Sequence, residues 1–338
     1  MSRADFQARI ESLWYDPTRL PPLWLRMLSG VYAMLAGMRR GLYRCGIFKV
    51  ESLPIPVIVV GNISVGGTGK TPLTIALVEA LRARGWNPGV ISRGYGASSE
   101  GPMLVGDDAL PGTVGDEPCL IRQRTGVPIA VGRDRVAVAR LLLAVAKPDV
   151  LIADDGMQHY ALLRNVEICV IDGQRRFGNG RLLPAGPLRE PVSRLARVEF
   201  RVCNGGTAQG DEVPMHLLGD HAVALANPAL VQSLQAFSGQ RVHAVAAIGN
   251  PPRFFAALRS HGLDLVEHAF ADHHLYVASD LAFADDLPIL MTEKDAVKCR
   301  SFAQPNLWFV PVRAELPEAF FDAVVAKLTK SARAEISG

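Results

Sequence analysis

Between a short β-branched apolar run and a helical stretch the chain reads Gly61-Asn62-Ile63-Ser64-Val65-Gly66-Gly67-Thr68-Gly69-Lys70-Thr71. A loop of this kind holds phosphate. Its glycines let backbone N–H groups turn inward around phosphate oxygens, a lysine reaches the terminal phosphates, and a neighbouring hydroxyl suits Mg²⁺. Lys70 and Thr71 fill the last two roles, with Asn62, Ser64, Val65, Gly66, Gly67, Thr68 and Gly69 forming the loop. Ser64 stands where the usual G-x-x-x-x-G-K-[ST] pattern has its first glycine, and Gly66 and Gly67 supply the freedom instead. The flanks agree: residues 56–61 predict a strand buried on both faces, and residues 72–84 predict a helix.

Strands and helices then alternate. Residues 89–92, 128–131, 150–153 and 168–171 read as strands, and 134–146 as a helix between two of them. This pattern predicts a parallel sheet with helices on both faces. Residues 204–213 are polar and turn-rich, and predict a tight loop or a domain boundary. A second α/β pattern begins at Val242, with a helix over 251–261, strands at 287–291 and 308–312, and a final amphipathic helix over 317–330. The expected organisation is an N-terminal segment (1–48), a phosphate-loop core (49–215) and a smaller C-terminal α/β domain (216–338).

Four polar clusters are candidates for chemistry. Asp154 and Asp155 follow an apolar strand, and adjacent carboxylates there call for a cation, directly or through water. Gly115-Asp116-Glu117-Pro118 puts carboxylates at a helix start, where N-capping is the plain explanation. Ala271-Asp272-His273-His274 sets two imidazoles beside an acid. Thr292-Glu293-Lys294-Asp295 is similar to the base-reading box of GTPases but differs in spacing, which leaves a GTPase reading open.

Charge is unevenly placed. The chain carries 36 Lys and Arg against 33 Asp and Glu, too mild an excess to imply nucleic-acid binding. The basic excess sits in the first 50 residues, with Arg3, Arg9, Arg19, Arg26, Arg39, Arg40, Arg44 and Lys49 against Asp5, Glu11 and Asp16. Leu25, Leu28, Tyr32 and Leu35 recur there at helical spacing beside Trp24, Met27, Val31 and Met34, with Arg39, Arg40 and Arg44 at the end. A helix lying in a membrane interface fits the pattern, since the uncharged stretch is too short to span. A core helix capping the main domain is the alternative. Cys45, Cys119, Cys169, Cys203 and Cys299 form no ligand cluster, and predict free thiols in a reducing compartment.

Taken in order, several motifs resemble the tetraacyldisaccharide 4'-kinase family, the lipid A 4'-kinases of Gram-negative bacteria. They are the phosphate loop with Pro72, Ser92-Arg93-Gly94-Tyr95-Gly96, Val114–Pro118, Asp154-Asp155-Gly156-Met157-Gln158-His159, Leu183–Glu190, Asp272-His273-His274 and Thr292–Lys298. The resemblance implies a P-loop NTPase-type α/β core. It implies transfer of the γ-phosphoryl group of ATP, with Mg²⁺, to the 4'-hydroxyl of a tetraacylated glucosamine disaccharide 1-phosphate, the lipid A precursor. It also implies a place on the cytoplasmic face of the inner membrane, held through the N-terminal helix. By the same resemblance Asp116 takes the hydroxyl proton, His273 (rather than His274) orients it, Lys70 holds the phosphates, and Thr71, Asp154, Asp155 and Glu190 serve the metal, with Arg189 beside them. A soluble small-molecule kinase and a switch-type NTPase are the competing expectations.

Overall fold

The computed structural model describes residues 10, 12–16, 18–94 and 101–336, without the side chains of 331–336. Tyr95 and Gly96 of the second motif lie outside the described residues. A nine-stranded sheet and a six-stranded sheet organise the chain.

The first sheet is built around β1 (Val57–Gly61), all of whose residues are buried. The expected strands appear as β2 (Pro88–Ser92), β4 (Ile129–Val131), β5 (Val150–Asp154) and β6 (Val166–Asp172), with the short β3 (Met103–Leu104) before β4. Beyond β6 the sheet continues through β7 (Phe200–Asn204) and β8 (Val213–Leu218). The seven strands from β8 to β4 run parallel in the order β8-β7-β6-β1-β5-β2-β4, and β3 closes that edge antiparallel. Helices α2 (Lys70–Ala83) and α3 (Asp116–Thr125) cover one face, and α4 (Arg135–Ala146) covers the other. Asp134 caps α4 by accepting from the N–H groups of Val136 and Ala137.

The 204–213 segment is a loop between neighbouring strands of this sheet, not a boundary. The chain leaves only after β8. It forms the second sheet from β9 (His221–Ala224), β10 (Val231–Ser233), β11 (Arg241–Ala246), β12 (Asp264–Ala269), β13 (Ile289–Thr292) and β14 (Leu307–Val310). Strands β12, β11, β13 and β14 are parallel, while β9 and β10 add an antiparallel edge. Helices α5 (Pro251–Ser260) and α6 (Glu293–Cys299) pack on opposite faces.

The end of the chain departs from the expected division at 216. Strand β15 (Arg313–Glu315) returns to pair antiparallel with β8. Helix α7 (Glu318–Ile336) then buries Phe320, Phe321, Val324 and Leu328 in the core beneath the first sheet. The physical reason is unpaired edge: β8 would otherwise expose its hydrogen-bonding groups, and the apolar face of α7 covers sheet surface there.

Helix α1 (Leu23–Arg44) lies on the body with an unusual polarity. Only Leu25 is fully buried. Polar groups face the body: the Ser29 hydroxyl donates to the Leu182 carbonyl at 2.8 Å, and the Tyr32 hydroxyl to that of Arg189 at 3.0 Å. Outward stand Leu23, Trp24, Met27, Leu28, Val31, Met34, Leu35 and Met38, each at least 49% exposed. No helix among the described residues is long and apolar enough to cross a membrane.

The two sheets meet at the C-terminal ends of their parallel strands. Gly67 of the phosphate loop touches Gly249, which follows β11; a Cβ on Gly67 would lie 3.4 Å from the Gly249 Cα, and a Cβ on Gly249 would collide with the Gly67 backbone nitrogen. The Arg175 guanidinium clamps the junction, donating to the Gly249 carbonyl at 2.8 Å. Gly249→Ala should therefore hold the two lobes apart while leaving each lobe folded. Displacements near 1 Å at a reacting centre cost about 10²-fold, so turnover should drop at least tenfold with far-UV circular dichroism unchanged. Near-normal turnover would show that this approach is dispensable.

Candidate active site

The phosphate loop leaves the end of β1 and enters α2 through Gly69, whose φ of 95° is left-handed backbone that favours glycine. A side chain there would also strike Asn204. Asn204 instead donates to the Thr68 carbonyl at 2.8 Å, and so holds the loop from the end of β7. Asn62 closes the loop's mouth: its amide donates to the Thr68 hydroxyl at 3.2 Å and its carbonyl accepts from Lys70 at 3.4 Å. Ser64 is buried and bridges to Leu188, the Val65 N–H donates to Pro187, and Gly66 has a φ of 100°. Thr71 is buried in the first turn of α2.

Parallel pairing of β1 with β5 puts Val60 opposite Asp154, which delivers the two aspartates to the loop. Asp154 has no exposed surface; one oxygen accepts from Thr74 at 3.1 Å and the other has no partner among the described residues. Burial pushes its carboxyl well above the usual range, and the charges of Glu117 and Asp155 add to this against the pull of Lys70. Asp155 goes the other way. Burial raises it too, but Lys70 at 3.3 Å and Arg189 at 3.5 Å outweigh that and hold it below its ordinary value. Arg135, at 3% exposure, adds a cation near both aspartates. The sequence reading missed Arg135, which sits one residue past a helix cap and looks there like a surface charge.

A buried carboxylate oxygen without a partner, a second carboxylate and a threonine hydroxyl form a hard oxygen set that fits Mg²⁺. No three acidic, His or Cys side chains converge on one point among the described residues. Such a site would need phosphate oxygens to complete it, as Mg²⁺ sites commonly do. Glu190 does not join this set. Its oxygens are taken by Gln158 at 2.8 Å, Tyr160 at 2.7 Å, Arg194 at 3.3 Å and Arg40 at 3.4 Å. The expectation that it serves the metal is corrected here: it anchors α1 to the body through Arg40.

Across the junction, His273 follows β12 in the second lobe, with a φ of 62° that costs a non-glycine residue energy. Its Nδ1 lies 3.0 and 3.2 Å from the two oxygens of Asp116, at the start of α3. Burial pushes Asp116 upward, but the His273 hydrogen bond and the charges of Lys294 and Lys298 prevail and hold it at about 2. Burial opposes the His273 cation, yet Asp116 and Asp272 raise its pKa above 6.5 in spite of Lys294. His274 turns away, pairing with Asp280 at 2.9 Å and stacking on Phe270.

The Thr292–Asp295 segment has a structural task that its likeness to a base-reading box did not suggest. Thr292 caps α6, and the fully buried Asp295 accepts from the Ala247 N–H and the Thr292 hydroxyl. Asp295 is thus closed to a base. Lys294 instead reaches Glu117 at 3.1 Å, Asp272 at 3.4 Å and Asp116 at 3.8 Å, and Glu293 pairs with Arg124 at 2.8 Å. These charges fasten the lobes together around Asp116.

Between the lobes lies a cleft of about 480 Å³. Gly67–Pro72 form one wall, Glu117 and Lys294 stand at one end, and Leu234, Ile248 and Phe254 supply an apolar wall. Phosphates at the loop and a flat apolar group against the second lobe can therefore share one cavity, and Asp116 is the chain neighbour of its lining residue Glu117.

Comparison with known proteins agrees with this geometry. Residues 22–329 match the family model described as tetraacyldisaccharide-1-P 4'-kinase. The tetraacyldisaccharide 4'-kinase of Stenotrophomonas maltophilia is 53% identical over 328 residues, covering 94% of this chain and 96% of that protein. Its counterpart in Xanthomonas axonopodis is 51% identical over 337 residues, covering 96% and 97%. The crystal structure of LpxK from Aquifex aeolicus in complex with ATP superposes with a TM-score of 0.74 at 27% identity, covering 90% of this chain and 98% of that one. With the phosphate loop, Glu117 and Lys294 lining one interlobe cleft and the match running nearly end to end, the chain belongs to the tetraacyldisaccharide-1-P 4'-kinase family.

Proposed function

We propose that the protein transfers the γ-phosphoryl group of ATP to the 4'-hydroxyl of a tetraacylated glucosamine disaccharide 1-phosphate, in lipid A biosynthesis. The observation that carries this is the Asp116–His273 contact between the lobes, beside Glu117, which lines the same cleft as Lys70. A hydrolytic switch needs only a positioned water, whereas a carboxylate oriented from the opposite lobe suits an acceptor hydroxyl.

The roles follow from the geometry. Loop amides and Lys70 bind the β- and γ-phosphates and neutralise charge as it shifts in the transition state. Mg²⁺ would be held by Thr71, Asp154 and Asp155 and, when bound, neutralises phosphate charge. Arg189 and Arg135 offset the remaining negative charge of the aspartates. Asp116, ionised at neutral pH, accepts a hydrogen bond from the sugar hydroxyl and aims its oxygen. A carboxylate near pKa 2 is a weak base, which suits a loose phosphoryl transfer in which the proton leaves late. His273 fixes the direction of Asp116.

The membrane location is part of the same proposal: the protein lies on the cytoplasmic face of the inner membrane through the outward apolar stripe of α1. A helix that turns hydroxyls to its own protein and leucine, methionine and tryptophan to solvent is built to meet lipid rather than to cap a core.

Three outcomes are expected. Asp116→Ala and His273→Ala should each lower turnover about 10²–10⁴-fold with ATP binding retained, and the double variant should be scarcely slower than the worse single. Fully multiplicative losses would separate the two roles. By NMR, His273 should titrate with a midpoint above 6.5 in the native protein. In Asp116→Asn its midpoint should fall, because burial and Lys294 then act with less opposition; an unmoved midpoint would remove the pair. Finally, Met27→Glu with Val31→Glu changes exposed positions and should alter stability by no more than about 0.5 kcal/mol each. Sedimentation with membranes should nevertheless fall about tenfold or more, and unchanged sedimentation would discard the stripe as the anchor.

A further inference from the structure

A second cavity, of about 640 Å³, lies between the last two turns of α1 and the body. Arg40, Arg44, Arg164, Arg194 and Arg197 line it against only two acids, Glu167 and Glu199. Glu167 is already paired with Arg164 at 2.9 Å and with Arg194, and Glu190 behind the lining with Arg40 and Arg194. The side chains of Arg44, on α1, and Arg197, on the body, have neither an ion pair nor a hydrogen bond among the described residues. The two unpaired guanidiniums, one on α1 and one on the body, each present a planar fork of donors to the same cavity, the chemistry that an oxyanion takes.

The cavity is separate from the nucleotide cleft. Glu167 stands near the start of β6, whereas the phosphate loop leaves the end of the parallel strand β1. Its relation to α1 identifies the ligand. At 100° per residue, Gly37, Arg40, Gly41 and Arg44 fall on the flank of α1 between its body-facing side and its apolar stripe. A Cβ on Gly37 or Gly41 would meet nothing within 4 Å, so the wall is open there. Met34 and Met38, 64% and 58% exposed, run alongside.

We infer that this cavity binds the phosphate of an anionic bilayer phospholipid, with the acyl chains lying along the α1 stripe. The inference rests on the proposed membrane location and adds a discrete lipid site to it. Free phosphate shares this chemistry but has no acyl chains to lie along the stripe, whereas the acceptor's own phosphate belongs to a lipid whose 4'-hydroxyl must reach the nucleotide cleft instead.

The test uses the full-length protein with vesicles of phosphatidylcholine alone and of phosphatidylcholine with equimolar phosphatidylglycerol. Native protein should prefer the anionic vesicles, and Arg44→Gln with Arg197→Gln should lose about 30-fold of that preference, the effect of two charges at a lipid surface. Gly41→Leu keeps every charge, suits a helix and fills the cavity; it should lose the preference as well while still binding phosphatidylcholine. Preference retained in Gly41→Leu would mean diffuse surface attraction and overturn the site. Binding of inorganic phosphate that the double variant abolishes would make it a soluble-anion site. A raised KM for the acceptor in neutral detergent micelles would assign it to the acceptor. Either result overturns the phospholipid. Native protein that ignores both kinds of vesicle would instead fail the membrane location, and the lipid site with it.

Discussion

Two aspartates stand side by side at the end of β5, one of them with no exposed surface and an oxygen that no group among the described residues satisfies. Burying a carboxylate without compensation costs several kcal/mol, and the neighbouring groups are placed to meet that cost. Lys70 comes from the phosphate loop, Arg189 from the segment after β6, and Arg135 from the start of α4. The compensation is incomplete at Asp154, which leaves a place for the proposed Mg²⁺. The loop's geometry, the parallel register of β1 and β5, and the arginines from distant segments all serve this one electrostatic requirement.

The acceptor side answers a different problem. Asp116 is one of three carboxylates, with Glu117 and Asp272, gathered around the Lys294 ammonium. Because Lys294 and His273 both belong to the second lobe, the orientation of Asp116 is set only when the lobes are together. Open, Asp116 would be ionised but would lose both partners; closed, it is aimed. The proposed acceptor site is thereby coupled to closure, which would keep water from competing with the sugar hydroxyl until the site is complete.

Much of the first lobe was legible because its signals are local. A glycine-rich turn between a buried β-branched strand and a helix has few other readings, and the aspartates close an equally apolar strand. What escaped had non-local causes. Strand β12 mixes exposed and half-buried residues at a sheet edge and buries none fully, so its apolar run is weak. The loop at 204–213 has the composition of a linker yet joins adjacent strands, a fact set by sheet topology. Lys294 resembled part of a base-reading box because its partners are far away in sequence. Glu190 carried a ligand's chemistry in its side chain, but two arginines, a tyrosine and a glutamine had already filled its lone pairs.

The return of the chain to its first sheet changes what the second lobe is. It is an insertion, spliced between β8 and β15, and its outgoing and incoming strands lie next to each other: Leu218 pairs with Arg313 on one side of the crossing, and Ala224 with Trp308 on the other. Two adjacent backbone tethers act like the paired leaves of a door hinge. They permit swinging about the line through both crossings but resist twist and sideways slip, which a single linker would allow. Each swing would bring Gly249 back to Gly67 and His273 back to Asp116 along one arc, so the two contacts are made in register without a separate guide.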